Sequence, residues 1–347
     1  MKLKRWAVAV AATAIVALGG SLTSAPAALA ATPTAYFVDC SSSTNGSGSQ
    51  QAPWNSIASV NAKSGGFGPG DSISFKAGTS CTGALQPSGS GAKGSPITIG
   101  KYGSGDRPKI IASNGSAFAV KLSDQPYWTI QDLDVRGGTT YGVFVTVTQG
   151  VVAGVTLRNL NVHDVTGAQM TSKNTGLVVV SPTHDANNST SARFDQVLID
   201  GVEAHDTTLW SGIIVGSGTD AAWARYNEKR STNVIVRNSE VYNIYGDGIV
   251  LFGVDNGLIE RSVAHDTGIE PTVTIGTPNA IWTWSCDNCT VQYNEAYRND
   301  SPGVDGGAYD VDYWSENTLI QYNYGYDNSA YCIAIFGADN DTTSNTV

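Results

Sequence analysis

Asp310 and Asp312 stand two residues apart in the run AYDVD (308–312), and Trp282 and Trp284 hold the same places in the run AIWTW (280–284). Two carboxylates this close do not both ionise freely, so one can keep its proton near neutral pH. A protonated acid beside an ionised base or nucleophile is what cleavage of a glycosidic bond requires. Tryptophan faces can hold sugar rings in register. Strand alternation places residues i and i+2 on one face, roughly 6.5–7 Å apart, and side-chain rotation covers both the retaining and the inverting separations. Asp is depleted in strands, so a pair in mid-strand conflicts with local propensity and points to function. The same hard oxygens suit calcium. Asp310 and Asp312 are therefore also candidate metal ligands if the reaction is β-elimination from a uronate rather than hydrolysis.

Further candidates surround this pair. Phe336 falls in one row with Asp312 and Trp284. His163, His205 and His265 each precede an Asp, and His265 is nearest the pair in the repeat order, which makes it a candidate catalytic group. These histidines share a column with Tyr242, Tyr297 and Tyr326, so a stacked ring ladder is the competing reading. Asp247 and Asp305 lie in turns beside Gly248 and Gly306, as substrate contacts or as turn formers. Arg298 is a candidate substrate contact, or the base in an elimination. The 216–233 insertion, with Arg225, Glu228, Lys229 and Arg230, reads as an exposed loop or a cleft wall.

A repeat positions these groups. Segments 129–137, 156–164, 198–206, 235–243, 258–266, 290–298 and 319–327 align without gaps. One column reads Ile130, Leu157, Ile199, Val236, Ile259, Val291 and Ile320; another, five residues on, reads Val135, Val162, Ala204, Val241, Ala264, Ala296 and Gly325. A second short strand follows each segment after a Gly-rich turn. Constant strands joined by loops of varying length are what stacked coils give, because no coil buries its apolar row alone. The chain therefore reads as all-β, a right-handed parallel β-helix (β-solenoid). In the second strands, Ile249, Ile281, Tyr309 and Ile333 form one inward row, which sends Asp310 and Asp312 to the outer face with Trp282 and Trp284.

The runs YFVDC (36–40), APWNSIASVNA (52–62), GPGDSISFKAG (68–78) and SPITIGKYGSGDRPKI (95–110) resemble the N-terminal cap and first turns of secreted carbohydrate-active β-helix proteins, the pectate-lyase-like superfamily. DGGAYDVD (305–312) and QYNYGYDN (321–328) extend the resemblance, which covers nearly all of the chain after residue 30. The resemblance implies the fold strongly and a reaction weakly, since the superfamily holds lyases, hydrolases, esterases and non-catalytic members. The expected function is polysaccharide degradation, first as a glycoside hydrolase without cofactor. The alternatives are a lyase, with calcium in many β-helix lyases, and a non-catalytic glycan-binding solenoid.

The remaining features set the context. Lys2, Lys4 and Arg5, an apolar run from Trp6 to Leu18 and a small-residue box at Ala28–Ala30 read as a secretion signal over 1–30, with one β-helix domain over 31–347 and its cap over about 31–110. Without 1–30 the balance is 17 Lys and Arg against 30 Asp and Glu, near −13. That excludes the basic footprint of a nucleic-acid or anionic-membrane partner, so the expected partner of this extracellular monomer is a polysaccharide. An oxidising compartment favours Cys40 with Cys81 and Cys286 with Cys289, leaving Cys332 over. Residues 340–347 begin another turn and strand, so further coils are expected after them.

Overall fold

The computed structural model describes residues 32–167, 172–183, 192–216, 230–271 and 278–337. The expected signal at 1–30, most of the 216–233 insertion and the last partial coil lie outside the described residues. Short runs rich in Val, Ile, Thr and aromatic residues form strands, and Gly, Asn and Asp form the corners between them. Among the described residues the strands assemble into three parallel sheets of ten, nine and eight strands. From the strand Ile97–Tyr102 onward each coil contributes one strand to each sheet in turn, while the two coils before it contribute one and two strands. A short helix, Ile57–Asn61, is capped by the Ser56 side chain accepting from the Ser59 backbone N–H, and it packs Ile57 and Val60 into the first coils.

The repeat columns are rows of the core. Ile130 and Ile199 both register with Leu157, Val236 follows Ile199, and Ile259, Val291 and Ile320 continue the first sheet. All seven side chains are at most 2% exposed. Burying one such aliphatic side chain contributes roughly 1.5–3 kcal/mol, which fixes the register, because a slip by one residue would turn the whole row outward. In the second sheet the ring column stacks from His163 through His205, Tyr242, His265 and Tyr297 to Tyr326, with centroids 4.7–5.1 Å apart. The corner after it is left-handed at Asp164, Asp206, Asn243, Asp266, Arg298 and Asp327, and five of these six are Asp or Asn, the types that best tolerate that conformation.

Cys40 and Cys81 are joined, closing a 41-residue separation in the cap with Cα atoms 5.4 Å apart. The expected Cys286–Cys289 bridge is corrected: both are buried thiols. Each points into the coil below, Cys286 Sγ toward the Leu251 carbonyl and Cys289 Sγ toward the Val254 carbonyl, both at 3.7 Å. The thiols serve as weak donors to carbonyl groups of the coil interior.

Candidate active site

The third sheet carries the site. Strands Ile249–Phe252, Ile281–Trp284, Tyr309–Val311 and Ile333–Ile335 lie side by side. Tyr309 and Val311 belong to the core with Ile281 and Ile249, so Asp310 faces outward and registers with Trp282 on one side and Ala334 on the other. Val250, Phe252 and Trp282 form a second, outer apolar cluster against which Trp284 packs.

The two carboxylates of the AYDVD run differ in depth. Asp312 lines a cavity of about 380 Å³ together with Lys173, Asn279, Trp282, Trp284 and Phe336. Asp305, Tyr313 and Val304 complete its wall. Asp310 is only 2% exposed and lies outside this lining. Its Oδ2 accepts from Asn279 Nδ2 at 3.1 Å, while Oδ1 has no partner. Burial, reinforced by the charges of Asp312, Asp305 and Asp247, pushes Asp310 up to about 9, so it is a neutral acid at physiological pH. Burial also raises Asp312, to about 6, with backbone donation from Tyr313 and the charge of Lys173 holding it lower than its neighbour. Asp305 and Asp312 are thus the carboxylates that meet the cavity, and Asp310 is buried outside its lining. The i, i+2 residues thus differ in position: Asp310 sits in the strand Tyr309–Val311 and is covered, whereas Asp312 follows its end and reaches the cavity.

Asp247 is fully buried, which corrects its reading as a substrate contact. Trp210 Nε1 donates to it, the Asn279 backbone N–H donates to Oδ1 at 3.0 Å, and Lys173 Nζ lies 3.4 Å from Oδ2. Its proton affinity is raised by burial and drawn back by Lys173. The ammonium of Lys173 also lies 4.6 Å from the Trp282 ring centroid and 5.1 Å from that of Trp210, within cation–π range. Trp284 stacks on Phe252 with centroids 5.2 Å apart and meets Trp314 and Tyr313 at 5.3 and 5.5 Å. The indole N–H groups of Trp282 and Trp284 have no protein partner.

His265 and Arg298 are not part of this constellation. Both lie along the second sheet, in the ring ladder and its corner. His265 is held by Asp266 at 2.6 Å and Glu240 at 3.2 Å, and Arg298 stacks on Tyr297 and bonds Asp266 Oδ1 at 2.9 Å. That arrangement holds Asp266 below the usual carboxylate range, Arg298 first and His265 second among its donors. The ladder reading therefore replaces the catalytic one for His265. For the metal reading, Asp310 Oδ2 is bonded to Asn279, and among the described residues no group of three or more His, Cys, Asp or Glu is arranged to hold an ion. Of the insertion, Arg230 is described, and it is buried against Ser285 and the Trp314 carbonyl, not on a cleft wall.

Lys173, Asn279 and Tyr331 escaped the sequence reading. A signal for two of them exists. The residue two places before each third-sheet strand forms a column of its own: Asp247, Asn279, Gly307 and Tyr331. Its members are joined coil to coil through backbone bonds from Gly248, Ala280 and Ala308 to the Asn279, Gly307 and Tyr331 carbonyls.

Comparison with known proteins agrees with this architecture. A lacto-N-biosidase of Bifidobacterium longum subsp. longum is 28% identical over 393 residues, covering 85% of this chain and 24% of its own length. The chain thus spans about a quarter of that relative. The crystal structure of the native GH136 lacto-N-biosidase from Eubacterium ramulus superposes with a TM-score of 0.71 at 24% identity, over 86% of this chain and 57% of the other. Pectate lyase Pel9A superposes with a TM-score of 0.54 at 16% identity, over 92% and 79%. These two structures share the fold alone. Residues 116–347 match the right handed beta helix region family, and with parallel coils throughout, the chain belongs to that family.

Proposed function

We propose that this chain is a glycoside hydrolase acting on a neutral extracellular glycan, with Asp305 and Asp312 as its carboxylate pair. The observation that carries the reading is that both carboxylates line one cavity with Trp282, Trp284 and Phe336. Asp312 rises to about 6, through burial first with the charge of Asp305 adding to it, so it carries an exchangeable proton close to the neutral range. In the proposed reaction the protonated member gives its proton to the glycosidic oxygen as the bond to the anomeric carbon breaks. The ionised member attacks that carbon or takes a proton from the water that does. Water supplies the new hydroxyl, and the pair returns to its starting state without a cofactor.

Charge favours a neutral sugar. Among its described lining residues the cavity presents two carboxylates and one cation, Lys173, which is engaged by Asp247. A uronate would meet net repulsion there. The relative named lacto-N-biosidase makes lacto-N-biosides the first substrates to try. Incubating the chain with p-nitrophenyl lacto-N-bioside and a panel of neutral and uronic glycans tests the proposal. Nitrophenol or new reducing ends support hydrolysis. Unsaturated products absorbing in the near ultraviolet mean elimination and overturn it.

A further inference from the structure

We propose that Tyr331 is a positioning residue whose hydroxyl moves its hydrogen bond between Asp305 and Asn279 as Asp305 loses and gains a proton. Tyr331 Oη lies 3.0 Å from Asp305 Oδ1 and 3.1 Å from Asn279 Oδ1. A phenol has one proton and can donate to only one of them at a time. The Asn279 amide cannot be flipped, because the Gly307 backbone N–H donates to Oδ1 at 2.8 Å and needs an acceptor there. That leaves a second lone pair on Oδ1 for Tyr331 and turns Nδ2 to Asp310. Tyr331 stays protonated: burial, then the charges of Asp310 and Asp305, raise its proton affinity.

The two states follow. When Asp305 is ionised it is the stronger acceptor, and the Tyr331 proton points to it. When Asp305 is protonated, its own O–H donates to Tyr331 Oη, and the Tyr331 proton turns to Asn279. Every group is satisfied in both states, as suits a carboxylate that cycles its proton during turnover. The charged and titratable groups around Asp305 are Asp310 and Asp312, whose proton affinities its charge raises, and Lys173, which lines the same cavity and is paired with Asp247. They remain in place when only the phenol oxygen is removed, so Tyr331→Phe isolates the hydroxyl.

The inference rests on the hydrolase reading for its link to turnover, and its test has opposite signs. Tyr331→Phe removes a donor to ionised Asp305. The limb of the kcat/KM–pH profile that reports Asp305 moves to higher pH by about one unit, and KM for p-nitrophenyl lacto-N-bioside changes less than about twofold. Asn279→Leu removes the alternative acceptor, penalises the protonated state and moves the same limb to lower pH. A generally damaged site would not give shifts of opposite sign. Thermal melting is followed in parallel, and if Asn279→Leu does not fold, the Tyr331→Phe shift decides alone. Carboxyl 13C titration of Asp305 by NMR reads the same shift without turnover. A Tyr331→Phe titration that superposes on the parent overturns the inference. Undiminished turnover in Asp305→Asn would instead overturn the hydrolase reading and leave the NMR titration to judge the switch.

Discussion

Replacing Asp310 by Asn separates a buried neutral acid from a catalytic carboxylate. Asp310 rises from an ordinary value of 3.8 to about 9 in the fold. Between those values the folded chain binds one proton that the unfolded chain does not. Stability from this group is therefore fully present below 3.8 and is lost as pH rises toward 9. The slope is about −1.4 kcal/mol per pH unit, so from about pH 5 to about pH 8 Asp310 alone removes on the order of 4 kcal/mol. Asn keeps an acceptor for Asn279 Nδ2 and cannot ionise. The variant should accordingly gain stability over the parent by about 1.4 kcal/mol for each unit of rising pH, with all other groups cancelling. Urea unfolding followed by tryptophan fluorescence at several pH values measures this, provided the denaturant dependence is unchanged. Parallel stability curves for parent and variant would show that Asp310 is ionised in the fold and contradict its description as a buried neutral acid.

Other consequences are as specific. Trp284→Ala should raise KM by about tenfold with kcat little changed, since an aromatic face is worth about 1–2 kcal/mol to a sugar-binding wall; steady-state kinetics checks it. His265→Gln should leave turnover at the parental level while lowering the melting temperature, because its ring belongs to the ladder in the second sheet. Thiol titration should find one fast-reacting group, Cys332, in the native protein and three after denaturation without reductant; a single thiol after denaturation would restore the Cys286–Cys289 bridge. Replacing Cys40 and Cys81 together by Ser should cost roughly 3–4 kcal/mol of unfolding free energy for a loop of this length, as read from urea midpoints.

The coil stack was legible because its signal is repetitive. Ile130 through Ile320 recur at matched places, and each is a core side chain in register with the next. Parity followed from the same rows: once Tyr309 and Val311 are inward, Asp310 must face out. Depth did not follow. Parity gives the face on which a side chain lies, and it is silent on what covers that face, so Asp310 and Asp312 look equivalent in sequence. Their difference comes from Asn279 and Tyr331, at turns outside the aligned strands, and from Lys173, which reaches an Asp 74 residues away. Asp305 was readable as a turn residue, with its left-handed backbone, but its place on the cavity wall depends on how that turn folds over the third sheet. His265 misled for a related reason: a His–Asp dipeptide looks like an acid–base pair until the neighbouring coils show it to be one rung of a stack.

The most direct test compares the turnover of Asp305→Asn, Asp310→Asn and Asp312→Asn on p-nitrophenyl lacto-N-bioside, or on whichever glycan the panel shows to be cleaved. The two cavity carboxylates should each lose about 100-fold or more in kcat, and added azide should restore rate to one of them by taking the place of the missing carboxylate. Asp310→Asn should stay within several-fold of the parent. A large loss in Asp310→Asn, with Asp305→Asn near parental turnover, would contradict the assignment of the pair.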